Sequence, residues 1–202
     1  MSIQIITISG IDGSGKSTQT GKLIDFLEKN GARAYHFHAI KFSIASFGKY
    51  KISTPGELKP VTKASWLSIQ LRKVAFLIDI FRFEFFCKNL TKQGYTHIIS
   101  DRYYFDALIN ILYLSNEKAT HNFGVNALQK LIHIPEIAYY LHVSPQVIAA
   151  RVSVEQQNED YMRGKVDLYI DRAKPWGIQP VNGELTPDEI AHNLQEEVRS
   201  TL

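Results

Sequence analysis

The sequence predicts a three-layer α/β fold, a parallel sheet with helices on both faces, and two observations carry that prediction. Short β-branched runs alternate with amphipathic segments along the chain, as in strands joined by crossover helices. A glycine-rich stretch separates the first β-branched run from the first amphipathic segment. With 202 residues, 45% of them hydrophobic, residues 1–202 are expected to form one domain.

The first half of the chain should begin with a strand-helix-strand unit. Residues 3–8 form a β-branched run, residues 18–30 carry apolar side chains at helical spacing, and residues 32–37 predict a second strand. Residues 41–62 are polar and contain two prolines, so we expect a loop or a short helix there. Residues 63–92 are apolar on most faces and predict a long, largely buried helix.

The second half continues the alternation. The predicted strands are residues 96–100, 136–143 and 177–181. The predicted helices cover residues 104–114, begin at Ser144-Pro145, cover residues 161–173 and begin at Thr186-Pro187. Because strands and helices alternate throughout, the sheet should be parallel.

The glycine-rich stretch Gly10-Ile11-Asp12-Gly13-Ser14-Gly15-Lys16-Ser17 matches G-x-x-x-x-G-K-[ST], the signature of a phosphate-binding loop. It lies between a strand and a helix, which makes the predicted architecture the three-layer P-loop NTPase fold. In such a loop, backbone N–H groups and the start of the helix bind phosphates, the lysine reaches the β and γ phosphates, and the serine hydroxyl binds Mg²⁺. The predicted ATP-binding residues are Gly10, Asp12, Gly13, Ser14, Gly15, Lys16, Ser17 and Thr18.

The motif indicates a nucleotide-phosphate binder but not its reaction. The tetrapeptide Asn-Lys-x-Asp, with which GTPases read guanine, does not occur, and 202 residues leave little room for the second domain of AAA-type machines. A small phosphotransferase is the favoured class. In that chemistry Mg²⁺, Lys and Arg neutralise charge on the transferring group.

A second candidate element is Ser100-Asp101-Arg102-Tyr103, at the carboxyl end of a predicted inner strand. Ligands of parallel sheets gather at that edge, so Asp101 should face the glycine-rich stretch. Considered alone, each residue has a less favoured alternative role: Asp101 would simply cap the next helix, and Arg102 would form a surface ion pair.

Together, residues 10–19 and 100–103 resemble the motifs of the thymidylate kinase family of nucleoside monophosphate kinases. The resemblance implies ATP as phosphoryl donor, Mg²⁺ as cofactor and a nucleoside monophosphate, dTMP first, as acceptor. It implies that Asp12 approaches the 3′-hydroxyl of the acceptor sugar. Asp101 would support the metal with Ser17, and Arg102, followed by Tyr103, would bind the acceptor phosphate.

The resemblance implies further cations and a partner. Arg82 is placed like a second acceptor-phosphate arginine, with Arg72 as the weaker rival, inside an acceptor-binding segment of about residues 36–83. Arg151 would be the phosphate-facing catalytic arginine of a lid of about residues 151–165, which would close over the phosphates. The loop after the last strand would contact adenine, and a homodimer is implied.

Three features depart from the family pattern. His36-Phe37-His38-Ala39-Ile40-Lys41 stands where the family has an Arg-Glu-Pro segment, and Gly13 stands where one branch has an arginine. Residues 153–165 offer only Arg163, although the other branch has several lid arginines there. Either the two lid arginines suffice, or basic residues of the acceptor segment contribute, or the acceptor is a different one.

The formal net charge of +3 is unevenly distributed. Between His36 and Phe83 the chain has eight basic and two acidic side chains, a local balance of +6. This excess favours an acceptor that carries phosphate over a nucleoside, whose hydroxyl benefits from a base that only Glu57 or Asp79 could supply within that segment. The alternatives are a nucleoside kinase, a nucleotide-binding regulator without turnover and, less favoured because the rest of the chain is slightly acidic, a nucleic-acid binder.

The sequence also predicts where the protein works. No run of about 20 apolar residues is present and the N-terminus lacks the pattern of a signal peptide, so no membrane partner is expected. The single cysteine, Cys87, agrees with a reducing compartment. We therefore expect a cytoplasmic protein without a nucleic-acid partner.

Overall fold

The computed structural model describes residues 3–44, 64–115, 123–151 and 159–202. Within these ranges five parallel strands form one sheet in the order β2-β3-β1-β4-β5. The strands are β1 (Gln4–Ser9), β2 (Ala34–Phe37), β3 (His97–Asp101), β4 (Ile137–His142) and β5 (Gln179–Asn182). The parallel sheet predicted from the alternation of elements is confirmed.

The helices of the described residues follow the predicted order with two additions. They are α1 (Lys16–Lys29), α2 (Ala39–Phe42), α3 (Trp66–Lys92), α4 (Tyr104–Ser115), α5 (Phe123–Gln129), α6 (Pro145–Arg151), α7 (Glu159–Ala173) and α8 (Pro187–Val198). The Thr186 hydroxyl caps α8 by accepting from the Glu189 N–H at 3.3 Å, and the Glu189 carboxylate accepts from the Thr186 N–H at 2.9 Å. None of the described helices combines the length and apolar character that a bilayer crossing demands.

Helices pack on both faces of the sheet. Ile5 and Ile98 belong to the core shared with α3, α4 and α7, whereas their neighbours Ile6 and Ile99 belong to the core shared with α1 and α8. This division follows from the alternation of side chains along a strand. The arrangement is compatible with a three-layer α/β fold.

Helix α3 corrects the expectation of a largely buried helix. Its inner side is buried through residues such as Phe76 and Phe83, but the opposite side carries large apolar groups that are 44–71% exposed. We call this set the α3 stripe, and it consists of Leu67, Leu71, Val74, Ile78, Phe81 and Phe85. Apolar composition alone does not distinguish a helix covered on all sides from one that leaves an apolar side open.

The sheet register determines where a site can form. Strands β1 and β3 are neighbours, and Ile8 pairs with Asp101 at their carboxyl ends. The segments that follow the two strands therefore emerge side by side at one edge of the sheet. This is the edge at which ligands of parallel α/β folds bind.

Candidate functional site

The glycine loop, residues 10–17, joins β1 to α1. Gly10, Gly13 and Gly15 have φ values of 149°, 83° and 95°, which glycine adopts far more readily than other residues. A Cβ atom on Gly10 would lie 2.8 Å from Oγ of Ser14. Both the backbone conformation and the close approach therefore require glycine at the start of the loop.

Lys16 is the first residue of α1 and lies folded over this loop. Its side chain is buried, and Nζ donates to the Ile11 carbonyl at 2.6 Å and to the Ser14 hydroxyl at 3.4 Å. Burial lowers the pKa of Lys16, and the negative charges of Asp106 and Asp101 partly oppose this effect. Among the described residues no carboxylate forms an ion pair with it, so the ammonium is suited to bind an external anion.

Ser17 and Asp101, the two residues assigned to the metal, are in contact. The Ser17 hydroxyl donates to Oδ2 of Asp101 at 2.5 Å, and Asp101 is 4% exposed at the end of β3. Hydroxyl and carboxylate oxygens are ligands that Mg²⁺ takes, with water and phosphate oxygens completing its coordination. Among the described residues no group of three or more His, Cys, Asp or Glu side chains could hold a metal.

Arg102 has the only positive φ, 68°, of the described residues other than glycine. The backbone is held there because the Arg102 N–H donates to the Ile8 carbonyl at 3.1 Å and the Arg102 carbonyl accepts from the Ser100 hydroxyl at 2.6 Å. The guanidinium forms an ion pair with Asp12 and lies 3.8 Å from Oδ1 of Asp106. A residue held in a sparsely populated conformation is often functional, and here that conformation brings the candidate acid and arginine together.

Asp106 organises the site and was not predicted. Its buried carboxylate accepts from the Ser9 hydroxyl at 2.7 Å, the Tyr169 hydroxyl at 2.6 Å, the Tyr103 N–H at 2.9 Å and the Gly10 N–H at 3.4 Å. These bonds connect β1, the glycine loop, α4 and α7. The available sequence signal was an aspartate four residues after Arg102.

A cavity of about 290 Å³ opens beside Asp12 and Arg102. Its charged lining residues are Asp12, Arg72, Asp79, Arg102, Asp106 and Lys165. Tyr103 also lines the cavity, but its hydroxyl donates to the His133 carbonyl at 2.7 Å. The volume is near the lower end of the range for small-molecule pockets, and the walls are both apolar and charged.

The two arginine candidates of α3 have different surroundings. Arg72, the weaker candidate from sequence, lines the cavity, and its buried Nε finds no hydrogen-bond partner among the described residues. Arg82 instead donates to Oδ1 of Asp79 at 2.7 Å and to the Phe42 carbonyl at 3.0 Å, and it does not line the cavity. The structure therefore places Arg72 at the site, while Arg82 neutralises a buried aspartate.

The lid arginines do not line the cavity. Arg151 ends α6 and donates to the Gly183 carbonyl at 3.0 Å, beside the loop after β5 to which adenine contact was assigned. Arg163 is exposed on α7. Lid residues 152–158, and residues 45–63 of the acceptor segment with four of its lysines, lie outside the described residues.

Lys165 and Tyr161 of α7 were not singled out from the sequence, although Lys165 ends the expected lid. Both line the cavity, and Nζ of Lys165 donates to the Tyr161 hydroxyl at 2.5 Å. Burial, followed by the positive charge of Arg102, lowers the pKa of Lys165 to about 7. The sequence carries no signal for this lysine, because the lid pattern of the family consists of arginines.

No protein-family model matches the chain, and no curated protein matches it either. Over its described residues the protein is an α/β protein with a five-stranded parallel sheet and helices around it.

Proposed function

We propose that the protein is an ATP-dependent nucleoside monophosphate kinase, with dTMP as the first candidate acceptor. The reaction would convert dTMP and ATP to dTDP and ADP. The observation that carries the proposal is the 2.5 Å contact between Ser17 and Asp101, because it joins the glycine loop to the Asp-Arg pair at one sheet edge. The resemblance to thymidylate kinases supplies the identity of the acceptor.

On the donor side, the glycine loop would bind the phosphates of ATP. Its N–H groups and the start of α1 present positive partial charge, and Lys16 could exchange its contact with the Ile11 carbonyl for phosphate oxygens. The Ser17 hydroxyl and the Asp101 carboxylate are the residues that would hold Mg²⁺. The bound ion would neutralise charge on the phosphate oxygens during transfer.

On the acceptor side, the cavity would hold the nucleoside monophosphate. Arg102 and Arg72 would bind its phosphate, and Asp12 would lie near the sugar. An oxygen of the acceptor phosphate forms a bond to the γ phosphorus while the bond from that phosphorus to the bridging oxygen of ADP breaks, and ADP leaves with the electron pair.

The surroundings of Asp79 favour a phosphorylated acceptor over a nucleoside. Asp79 is 2% exposed, accepts from the guanidinium of Arg82 at 2.7 Å and accepts from the Ile44 N–H at 3.1 Å. Both donors bind the same carboxylate oxygen, Oδ1, so the chain itself engages that oxygen and does not hold it for a sugar hydroxyl. The other candidate base of that segment, Glu57, lies outside the described residues.

A coupled assay of ADP release tests the proposal. MgATP would be offered with dTMP, dUMP, dCMP, UMP, CMP or thymidine, and we expect dTMP to give the fastest release. Fastest release with thymidine would identify a nucleoside kinase. If ATP binds but no acceptor raises release above background, the enzyme proposal fails and a nucleotide-binding regulator is favoured.

We also propose that the α3 stripe joins two copies of the chain. Its members are spaced by four, three, four, three and four residues, a pattern that reads the same in both directions. Two copies related by a twofold axis could therefore pack this stripe against itself with the helices antiparallel. An exposed apolar stripe of this length is typical of an interaction surface.

Cytoplasmic location and the lack of a nucleic-acid partner stay predictions.

A further inference from the structure

Lys165 is a cation at the cavity that belongs to no sequence motif. Lys165 lines the cavity with Arg72 and Arg102, and these three cations come from α7, α3 and the end of β3. We infer that Lys165 binds the acceptor's phosphate and supplies a positive charge that the arginine-poor lid lacks. This inference rests on the proposed function, because it takes the cavity as the acceptor site.

The contacts of Lys165 leave it able to bind an anion. An ammonium has three donors, and among the described residues only the Tyr161 hydroxyl accepts from one of them. The ammonium also lies 4.4 Å from the centroid of the Tyr161 ring, which holds it against that wall of the cavity. No carboxylate of the described residues forms an ion pair with Lys165, and Asp106 already accepts from several donors.

The electrostatic surroundings connect phosphate binding to proton uptake. The described charged and titratable groups around the cavity that holds this ammonium are Asp12 in the glycine loop, Lys16 on α1, Arg72 and Asp79 on α3, Arg102 and Tyr103 after β3, Tyr104 and Asp106 on α4, and Tyr161 on α7. Burial, Arg102 and Lys16 lower the pKa of Lys165 to about 7, and Asp106 opposes them. Lys165 is therefore a group whose charge changes across the neutral range.

The direction of the pH effect follows. A bound phosphate favours the charged lysine, so binding above pH 7 must take up a proton, and affinity falls as the pH rises. The second pKa of a phosphate monoester is about 6. Its remaining ionisation above that pH adds negative charge, which would strengthen binding to a cation and so does not produce this fall. An arginine at the same position would stay charged at every pH used and would show no such dependence.

Calorimetric titration of the intact protein with dTMP, and separately with inorganic phosphate, tests the inference between pH 6.5 and pH 9. For the native protein we expect affinity to fall by up to about tenfold per pH unit above pH 7. Lys165→Arg should keep the affinity of the native protein at pH 6.5 and lose most of the pH dependence. Lys165→Met should lose about tenfold in affinity at pH 6.5, with Lys174→Met, an exposed lysine beyond α7, as the matched control.

Each outcome is decisive. Three outcomes would overturn the inference. The native protein and Lys165→Arg would have equal pH profiles, a folded Lys165→Met would keep its affinity, or neither dTMP nor inorganic phosphate would bind. If Lys165→Met does not fold, the comparison with Lys165→Arg still decides. Binding with the expected pH profile but no ADP release with any acceptor would support the role of Lys165 and reject the proposed function.

Discussion

The Ser17 hydroxyl donates to the Asp101 carboxylate at 2.5 Å although 84 positions separate the two residues. Parallel pairing of β1 with β3 produces this proximity, since Ile8 pairs with Asp101 and the glycine loop leaves the sheet just beyond. The contact joins the part of the chain that should bind ATP to the part that should bind the acceptor. Because Ser17 and Asp101 are the residues proposed to hold Mg²⁺, changes to this contact should affect the metal requirement of the reaction.

Replacing Asp101 tests that connection. Asp101→Asn keeps an oxygen that can accept from Ser17 but removes the charge, so we expect the Mg²⁺ concentration for half-maximal ADP release to rise by about tenfold or more. Asp188→Asn is the matched control, because the Asp188 side chain is 89% exposed and pairs with Lys22. Equal Mg²⁺ dependence in both variants would contradict the role of Asp101.

The two arginines of α3 should separate into a binding and a structural role. Arg72→Ala should raise the KM for dTMP by about tenfold, because Arg72 lines the cavity. Arg82→Ala should leave that KM nearly unchanged but lower the free energy of unfolding by about 2 kcal/mol, because Asp79 would stay buried without its partner. Steady-state kinetics and denaturant unfolding of both variants check this, and the reverse pattern would reject the assignment.

Arg102 offers a test of both charge and backbone. Arg102→Ala and Arg102→Gly should each raise the KM for dTMP by about tenfold to a hundredfold, because both lose the guanidinium. Since φ is 68° at this position, the glycine variant should be more stable than the alanine variant by about 1 kcal/mol. Thermal unfolding measures the difference. A normal KM would contradict the acceptor role, and an alanine variant as stable as the glycine variant would contradict the strain.

The α3 stripe predicts association. Phe81→Glu places a charge in the stripe and should convert a dimer to a monomer in sedimentation velocity, because a buried unpaired carboxylate costs several kcal/mol. Thr91→Glu adds the same charge at an exposed position on a different side of α3 and should not change the assembly. A native protein that sediments as a monomer at all concentrations would reject the homodimer.

The strands and long helices could be predicted from sequence because their signals are local. The β-branched run of β1, the glycine loop and the cap of α8 lie within a few residues of the elements that they specify. Helix α5 has seven residues, too few for a clear helical period, and it was not predicted. The prediction that α3 is largely buried was wrong, because burial depends on which helices pack against it.

The residues of the candidate site likewise differ in whether the sequence could identify them. Lys16 and Ser17 lie in a contiguous motif and could be identified directly. Asp106 could not, since its partners Ser9 and Tyr169 lie 97 and 63 positions away and only the folded sheet brings them together. The sequence also could not show which of Arg72 and Arg82 is free to bind the acceptor phosphate, because this depends on the ion pair that Arg82 forms with Asp79.

The most direct test of the central claim is mass-spectrometric detection of the product formed from dTMP and MgATP. We expect dTDP and ADP in equal amounts. Lys16→Ala should abolish both products, whereas Lys22→Ala, which alters an exposed ion pair on the same helix, should keep them. Loss of ATP without phosphorylated dTMP or another phosphorylated nucleotide, or equal product from Lys16→Ala, would contradict that claim.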